Sequence, residues 1–142
     1  MVATDLNMRL RALVADDDPE MLEMVARALD LFGADVVRAS SGGELLENIA
    51  NAGPFDVVVT DISMPWMSGL QVMHSAQAAG RPSTVVIMTG LRDSRIPEQV
   101  ASLGSRAVLV HKPFSIDELF AALRTCLGGA IPHPGTPAAN AS

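Results

Sequence analysis

Leu10-Arg11-Ala12-Leu13-Val14-Ala15-Asp16-Asp17-Asp18-Pro19-Glu20 is an apolar run that stops on three acids and turns at once into a helix start. Leu10–Ala15 reads as a strand, apolar enough to lie in the middle of a parallel sheet covered on both faces. Asp18 is placed to cap the helix that follows, with Pro19 in its first turn and Glu20 matched to the helix dipole. Leu22, Val25, Ala26, Leu29 and Phe32 then recur at helical spacing, and Gly33 ends the run. One strand feeding one helix through an acidic turn is one βα unit.

The same unit recurs along the chain. Val36–Arg38, Val57–Thr60, Val85–Thr89 and Ala107–Val110 are the further strands expected. Ser41 with Glu44, Ser68 with Gln71 and Ser115 with Glu118 have the spacing of capping boxes, and Phe114 with Leu119 that of a hydrophobic staple. Ile96, Val100 and Leu103 mark a fourth helix, with Pro97 near its start and Gly104 after it. Five strands with five helices make one doubly wound α/β domain over residues 9–127. Residues 1–8 are a short lead. Residues 128–142, rich in Gly, Pro and Ala without apolar periodicity, are expected to be disordered.

Composition narrows the function classes. The chain has 142 residues, 49% of them apolar, enough for one buried core without staples. A single cysteine, Cys126, forbids an internal disulfide and fits a reducing cytoplasm. The start has no apolar signal segment, and no apolar run reaches the ~20 residues of a membrane span. A net charge of −6 argues against a nucleic-acid surface, which needs clustered cations. Lys112 is the only lysine beside nine arginines, and a lone ammonium suits a site that needs a compact point charge.

In an open parallel sheet, ligands bind beyond the carboxyl ends of the strands. There the first strand delivers Asp16, Asp17 and Asp18, the third Asp61, the fourth Thr89, and the fifth Lys112 followed by Pro113. Asp16, Asp17 and Asp61 brought together would repel unless a cation neutralised them, and oxygen donors of this kind suit Mg²⁺, with Mn²⁺ nearly as good. Asp61 could then act as nucleophile toward a phosphoryl group, with Lys112 and Thr89 meeting its oxygens. Each residue has an ordinary explanation as well: Asp18 as a cap, Asp16 and Asp17 as solvated loop acids, Asp61 as a turn starter, Thr89 as a strand end, Lys112 as surface charge. Those explanations are weak when all are required at once on one rim.

Leu13-Val14-Ala15-Asp16-Asp17-Asp18-Pro19, Val58-Val59-Thr60-Asp61-Ile62-Ser63-Met64-Pro65, Met88-Thr89-Gly90 and Lys112-Pro113-Phe114 together resemble the receiver domain of bacterial two-component response regulators, stand-alone chemotaxis-type receivers included. The resemblance implies a flavodoxin-like strand order 2-1-3-4-5. It also implies Asp61 as phosphoacceptor, Thr89 as switch hydroxyl and Lys112 as the ammonium that pairs with the phosphoryl group. Asp16, Asp17, Asp61 and the Ser63 carbonyl would hold Mg²⁺, and a cis bond would join Lys112 to Pro113. It implies a cytoplasmic signalling domain, not an enzyme acting on other substrates, phosphorylated by a sensor histidine kinase or phosphotransfer protein. Its output would be binding to a downstream protein, without nucleic acid or membrane, and the fourth helix, fifth strand and fifth helix are where a weak homodimer would form. The chain departs from the pattern at Leu109, where an aromatic switch residue is usual, and in a Gly104–Lys112 stretch one residue longer than usual.

Rival readings are a receiver-like interaction module that works without phosphorylation, and a receiver fragment of a larger hybrid kinase or regulator. A haloacid-dehalogenase-type phosphatase would need an acid where Ser63 stands, and a flavin phosphate would be repelled by the acids of the first strand. Trp66 is expected to pack in the loop near the site. His74, His111 and His133 lack metal-ligand spacing.

Overall fold

A computed structural model describes residues 9–80, 84–104 and 106–128. Expectations for residues 1–8 and for the tail beyond Gly128 lie outside the described residues. Strands β1 (Leu10–Ala15), β2 (Ala34–Ala39), β3 (Val57–Asp61), β4 (Thr84–Thr89) and β5 (Ala107–His111) form one parallel sheet in the order β2-β1-β3-β4-β5. Helices α1 (Pro19–Phe32), α2 (Gly42–Asn51), α3 (Gly69–Ala78), α4 (Arg95–Ala101) and α5 (Ile116–Cys126) complete five βα units. The doubly wound architecture expected from the alternating pattern is the one observed. None of the described helices is long and apolar enough to cross a membrane.

Side-chain alternation splits the core into two layers. Leu13, Val58, Val85 and Ile87 face the side covered by α2, α3 and α4, where Leu45, Met73 and Val100 meet them. Ala12, Val14, Val57, Val59, Val86 and Met88 face the other side, against Val25 and Leu29 of α1 and Leu119 and Leu123 of α5. β1, β3 and β4 are buried along most of their lengths, so they read as continuous apolar runs without alternation. β2 is an edge strand with exposed and half-buried positions, and it extends beyond the expected Val36–Arg38 because its ends are buried alanines that carry no strand signal.

The helix starts are built as their residues dictate. Asp18 accepts from the Glu20 N–H at 3.1 Å and is extended, and Gly33 closes α1 in the left-handed region at φ 110°. Ser68 with Gln71 and Ser115 with Glu118 are complete capping boxes. The Ser41 pair is only half of one. Ser41 accepts from the Glu44 N–H, but the Glu44 carboxylate accepts from the N–H of Ser40 at 2.7 Å, one residue earlier than a box requires.

α4 departs further from expectation. It spans only seven residues, and Leu103 lies buried beyond its end. Ser94 makes no side-chain cap, and Asp93 instead accepts from the Arg95 N–H at 2.9 Å while pairing with the Arg95 guanidinium at 2.7 Å. That hydrogen-bonded pair holds the exposed Asp93 carboxyl down at about 2.

Cys126 ends α5 facing the core, and burial pushes its thiol up to about 11. At pH 8 roughly one such thiol in a thousand would be thiolate, the reactive form. The folded chain should therefore react with a disulfide reagent at pH 8 at least about tenfold more slowly than the chain in denaturant. Equal rates, read by absorbance of the released thiolate, would show that Cys126 is not buried as described.

Candidate functional site

Parallel pairing sets the level of each strand end. Ala15 is in register with Thr60, so the next step brings Asp16 level with Asp61. Alternation then gives Asp16 and Asp61 the parity of Val14 and Val59, facing the α1 and α5 side. On the far strand Thr89 is level with His111, and the Lys112 N–H donates to the Thr89 carbonyl at 2.7 Å. Lys112 keeps the parity of Val110, so its side chain turns toward the same acids. The bond from Lys112 to Pro113 is cis, as the resemblance implies.

The three acids meet. One oxygen each from Asp16, Asp17 and Asp61 lies within 4.8 Å of the others, and this is the one such cluster of potential metal ligands among the described residues. Asp16 is fully buried, Asp17 exposed and Asp61 only 7% exposed. The Lys112 ammonium lies 2.9 Å from Asp16 Oδ2 and 3.3 Å from Asp61 Oδ2, bridging the two buried carboxylates. Asp16 also accepts from the Asp18 N–H at 2.9 Å, and Asp61 from the Ser63 N–H at 3.3 Å. Asp18 turns outward as a cap, outside the cluster. Three carboxylates, two of them buried, are a donor set of hard oxygens that fits Mg²⁺ or Mn²⁺.

These contacts shift both partners of the central pair. Burial pushes the Asp61 carboxyl up, the Lys112 charge pulls it back, Asp16 pushes it up again, and the net direction is upward. Burial works against the Lys112 ammonium, but its hydrogen bond to Asp16 and the charges of Asp61 and Asp16 outweigh that, so its pKa rises.

Thr89 is buried on the opposite parity, that of Val85 and Ile87, and its Oγ1 accepts from the Leu91 N–H at 2.9 Å. In this structure its hydroxyl oxygen is thus engaged by the loop after β4. Leu109 shares that parity and packs, half-buried, against the core under α2, α3 and α4.

The family model of the response regulator receiver domain matches residues 12–124. The chain belongs to the response regulator receiver family. The response regulator MprA of Mycobacterium sp. (strain KMS) is 38% identical over 129 residues, 90% of this chain and 55% of that protein. The protein of the same name in Mycobacterium tuberculosis (strain ATCC 25177 / H37Ra) is 37% identical over 89% of the chain and 54% of its own length. The receiver thus spans about half the length of these relatives. Among solved structures, the signal receiver domain of a response regulator NarL from Mycobacterium tuberculosis superposes with a TM-score of 0.76 at 32% identity, covering 85% of this chain and 98% of that one. The receiver domain of Francisella response regulator 1452 gives 0.75 at 27%, covering 84% and 98%. The chain is a receiver domain of two-component signalling.

Two glycines of the receiver site have no local sequence signature. A Cβ on Gly69 would overlap the Asp61 carbonyl oxygen and crowd Thr60 Oγ1, while the Gly69 N–H donates to the Ile62 carbonyl at 3.1 Å. A Cβ on Gly42 would overlap the carbonyl oxygen of Met67. Only glycine lets α3 start against the strand that carries Asp61, and lets the loop after β3 rest on the start of α2. Trp66 differs from expectation. It is fully exposed, with φ at +73°, and does not pack on the loop.

Gly69→Ala should cost about 2–3 kcal/mol of stability by overpacking against backbone. Gly90→Ala, where nothing lies within 4 Å of the added methyl, should stay within about 0.5 kcal/mol of the parent. Urea denaturation of the two variants makes the comparison, and equal midpoints would refute the close approach at Gly69.

Proposed function

We propose that the receiver, residues 9–127, takes a phosphoryl group onto Asp61 from a phosphohistidine of a sensor kinase or phosphotransfer protein, and that the loop after β4 reads out the change. The observation that carries this is the Lys112 ammonium bridging Asp16 and Asp61 on the rim where Asp17 and Thr89 also end. Asp16, Asp17, Asp61 and the Ser63 carbonyl would hold Mg²⁺ or Mn²⁺, which when bound supplies positive charge to the phosphoryl oxygens. An Asp61 oxygen attacks phosphorus and the phosphorus–nitrogen bond breaks. The histidine nitrogen leaves with the electron pair, and because the ring's other nitrogen carries a proton the side chain departs as neutral imidazole. Lys112 exchanges a carboxylate partner for a phosphoryl oxygen and keeps an ion pair throughout.

Thr89 would donate its hydroxyl to another phosphoryl oxygen. That movement gives up its hydrogen bond from the Leu91 N–H, so the loop from Gly90 to Ser94 loses a tether as the site gains charge. Leu109 has no hydroxyl or ring to follow Thr89, which leaves this tether as the route from chemistry to surface. The protein works in the cytoplasm, its output is binding to another protein, and a second copy would pair through α4, β5 and α5.

Purified protein incubated with Mg²⁺ and acetyl phosphate should gain the mass of one phosphoryl group. Asp61→Asn, or chelation by EDTA, should abolish the gain. Lys112→Met should slow loading at least about tenfold, by the order of a lost positioned charge. An unchanged wild-type mass with both acetyl phosphate and phosphohistidine donors would overturn the proposal in favour of a phosphorylation-independent module.

A further inference from the structure

The loop between β3 and α3 begins and ends at the same place. It leaves Asp61, and it returns where Gly69 abuts the Asp61 carbonyl and donates to the Ile62 carbonyl. At its tip the Met67 N–H donates to the Pro65 carbonyl at 2.8 Å across Trp66, whose φ is +73°. An i to i+2 hydrogen bond over a positive φ is the rarer and more strained kind of γ-turn. Among the described residues other than glycine, Trp66 is the only one with a positive φ. It is also fully exposed, in a chain that has no other tryptophan.

The turn is held from behind. Met67 packs partly buried against the core under α2, α3 and α4, and its carbonyl fills the space that Gly42 leaves open. Met64 is buried before the turn. The strain and the exposure are therefore imposed by an anchored loop, and what the loop presents is one indole. Strained backbone positions persist only where the surrounding structure over-determines them, and they cluster at active sites, ligand clamps and switch regions.

The position of Trp66 selects the partner. Gly69 is three residues further along, so the Trp66 Cα lies within roughly 11 Å of the backbone that touches Asp61. Asp61 is recessed at 7% exposure, and a protein that delivers a phosphoryl group to it must close over the rim. A standard interface of about 800 Å² per partner is a disc of roughly 16 Å radius, and centred on Asp61 it takes in Trp66. Leu91, half-exposed just after Thr89, adds a second apolar contact on the same rim. On an anchored backbone a tryptophan has only two side-chain torsions to fix on binding, a low cost for a large contact area, and tryptophans are enriched among interface hot spots.

We infer that Trp66 is the docking anchor for the phosphohistidine-bearing protein, seating in an apolar depression beside the donor histidine. The inference rests on the proposed phosphoacceptor role of Asp61 and adds the contact that recruits the donor. Small donors such as acetyl phosphate do not need it.

The test uses the histidine kinases of the source organism, each purified as its dimerisation and phosphotransfer portion and autophosphorylated. The one that transfers fastest to the wild-type receiver is then compared on Trp66→Ala and Trp66→Phe. Transfer to Trp66→Ala should fall at least about 30-fold, the order of one interface hot spot, and Trp66→Phe should recover part of it. Loading by acetyl phosphate should stay within twofold of wild type, which shows the site intact. Emission of Trp66 should shift to the blue when unphosphorylated kinase is added. Wild-type transfer rates in Trp66→Ala would overturn the anchor and leave the phosphoacceptor reading standing. So would transfer from no kinase while acetyl phosphate loads Asp61, or a dimer by sedimentation that Trp66→Ala dissolves, which would assign the indole to a second copy. Failure of acetyl phosphate and every kinase on wild type would remove both readings together.

Discussion

Three carboxylates are pulled into one place, and the sheet edge is organised around tolerating that. Asp16, Asp17 and Asp61 bring oxygens within 4.8 Å of one another, and two of the three are withdrawn from water. Two unit charges about 4 Å apart at an effective dielectric near 20 repel by about 4 kcal/mol, which is comparable to much of a small domain's net stability. The Lys112 ammonium, between Asp16 and Asp61, is what lets the folded chain hold them both. Every element that aims Lys112 inward is then part of the same constraint: the β4–β5 register, the Lys112 N–H bond to Thr89 and the turn at Pro113.

The compensation is incomplete, and the direction of the residual matters. Burial leaves the Asp61 carboxyl above its ordinary range, so the folded state prefers the proton and ionised Asp61 weakens the fold as pH rises through its raised pKa. Lys112, also raised, contributes stability that persists below its ordinary pKa and is lost only as pH climbs through the higher value. The site sets one ammonium, that of Lys112, against the three carboxyl groups of Asp16, Asp17 and Asp61. Such a site has a standing demand for positive charge, and a group that arrives with a cation meets less resistance than one that arrives without.

Much of this was legible in the sequence because strand ends are local features. Apolar runs stop where the acids, Thr89 and Lys112 begin, and that alone places them on one rim. Asp18, Ser68 and Ser115 announce helices because a cap interacts with residues only two or three positions on. What the sequence hid depends on residues far apart or on competition between near neighbours. Gly42 and Gly69 matter only because Met67 and Asp61 come against them in space. Glu44 has the spacing of a capping box but finds the Ser40 N–H and hydroxyl instead, and Asp93 takes the capping role that Ser94 leaves empty. Trp66 carries an apolar side chain, which reads as packing, and only the anchored turn around it turns that side chain outward.

Alternation along the strands also separates the chemistry from its consequences. Asp16, Asp61 and Lys112 have the parity of the α1 and α5 layer, whereas Thr89 and Leu109 have that of the layer under α2, α3 and α4. A charge change at Asp61 is therefore felt on the second layer only through a group that can reach across the strand ends, and Thr89, level with the start of the β5 turn, is the one so placed. An aromatic at position 109 could swing between buried and exposed positions as Thr89 moves. Leu109, an aliphatic side chain already half-buried against that core, has neither a polar tip to follow the hydroxyl nor a ring whose exit would open a comparable space. The hydroxyl oxygen accepts from Leu91 in the loop that leads into α4, and α4 is the shortest helix among the described residues, capped at its start by Asp93 of that same loop. A short helix gains little from its own hydrogen bonds and depends on what precedes it. The element least able to hold itself in place is thus attached directly to the hydroxyl that would move.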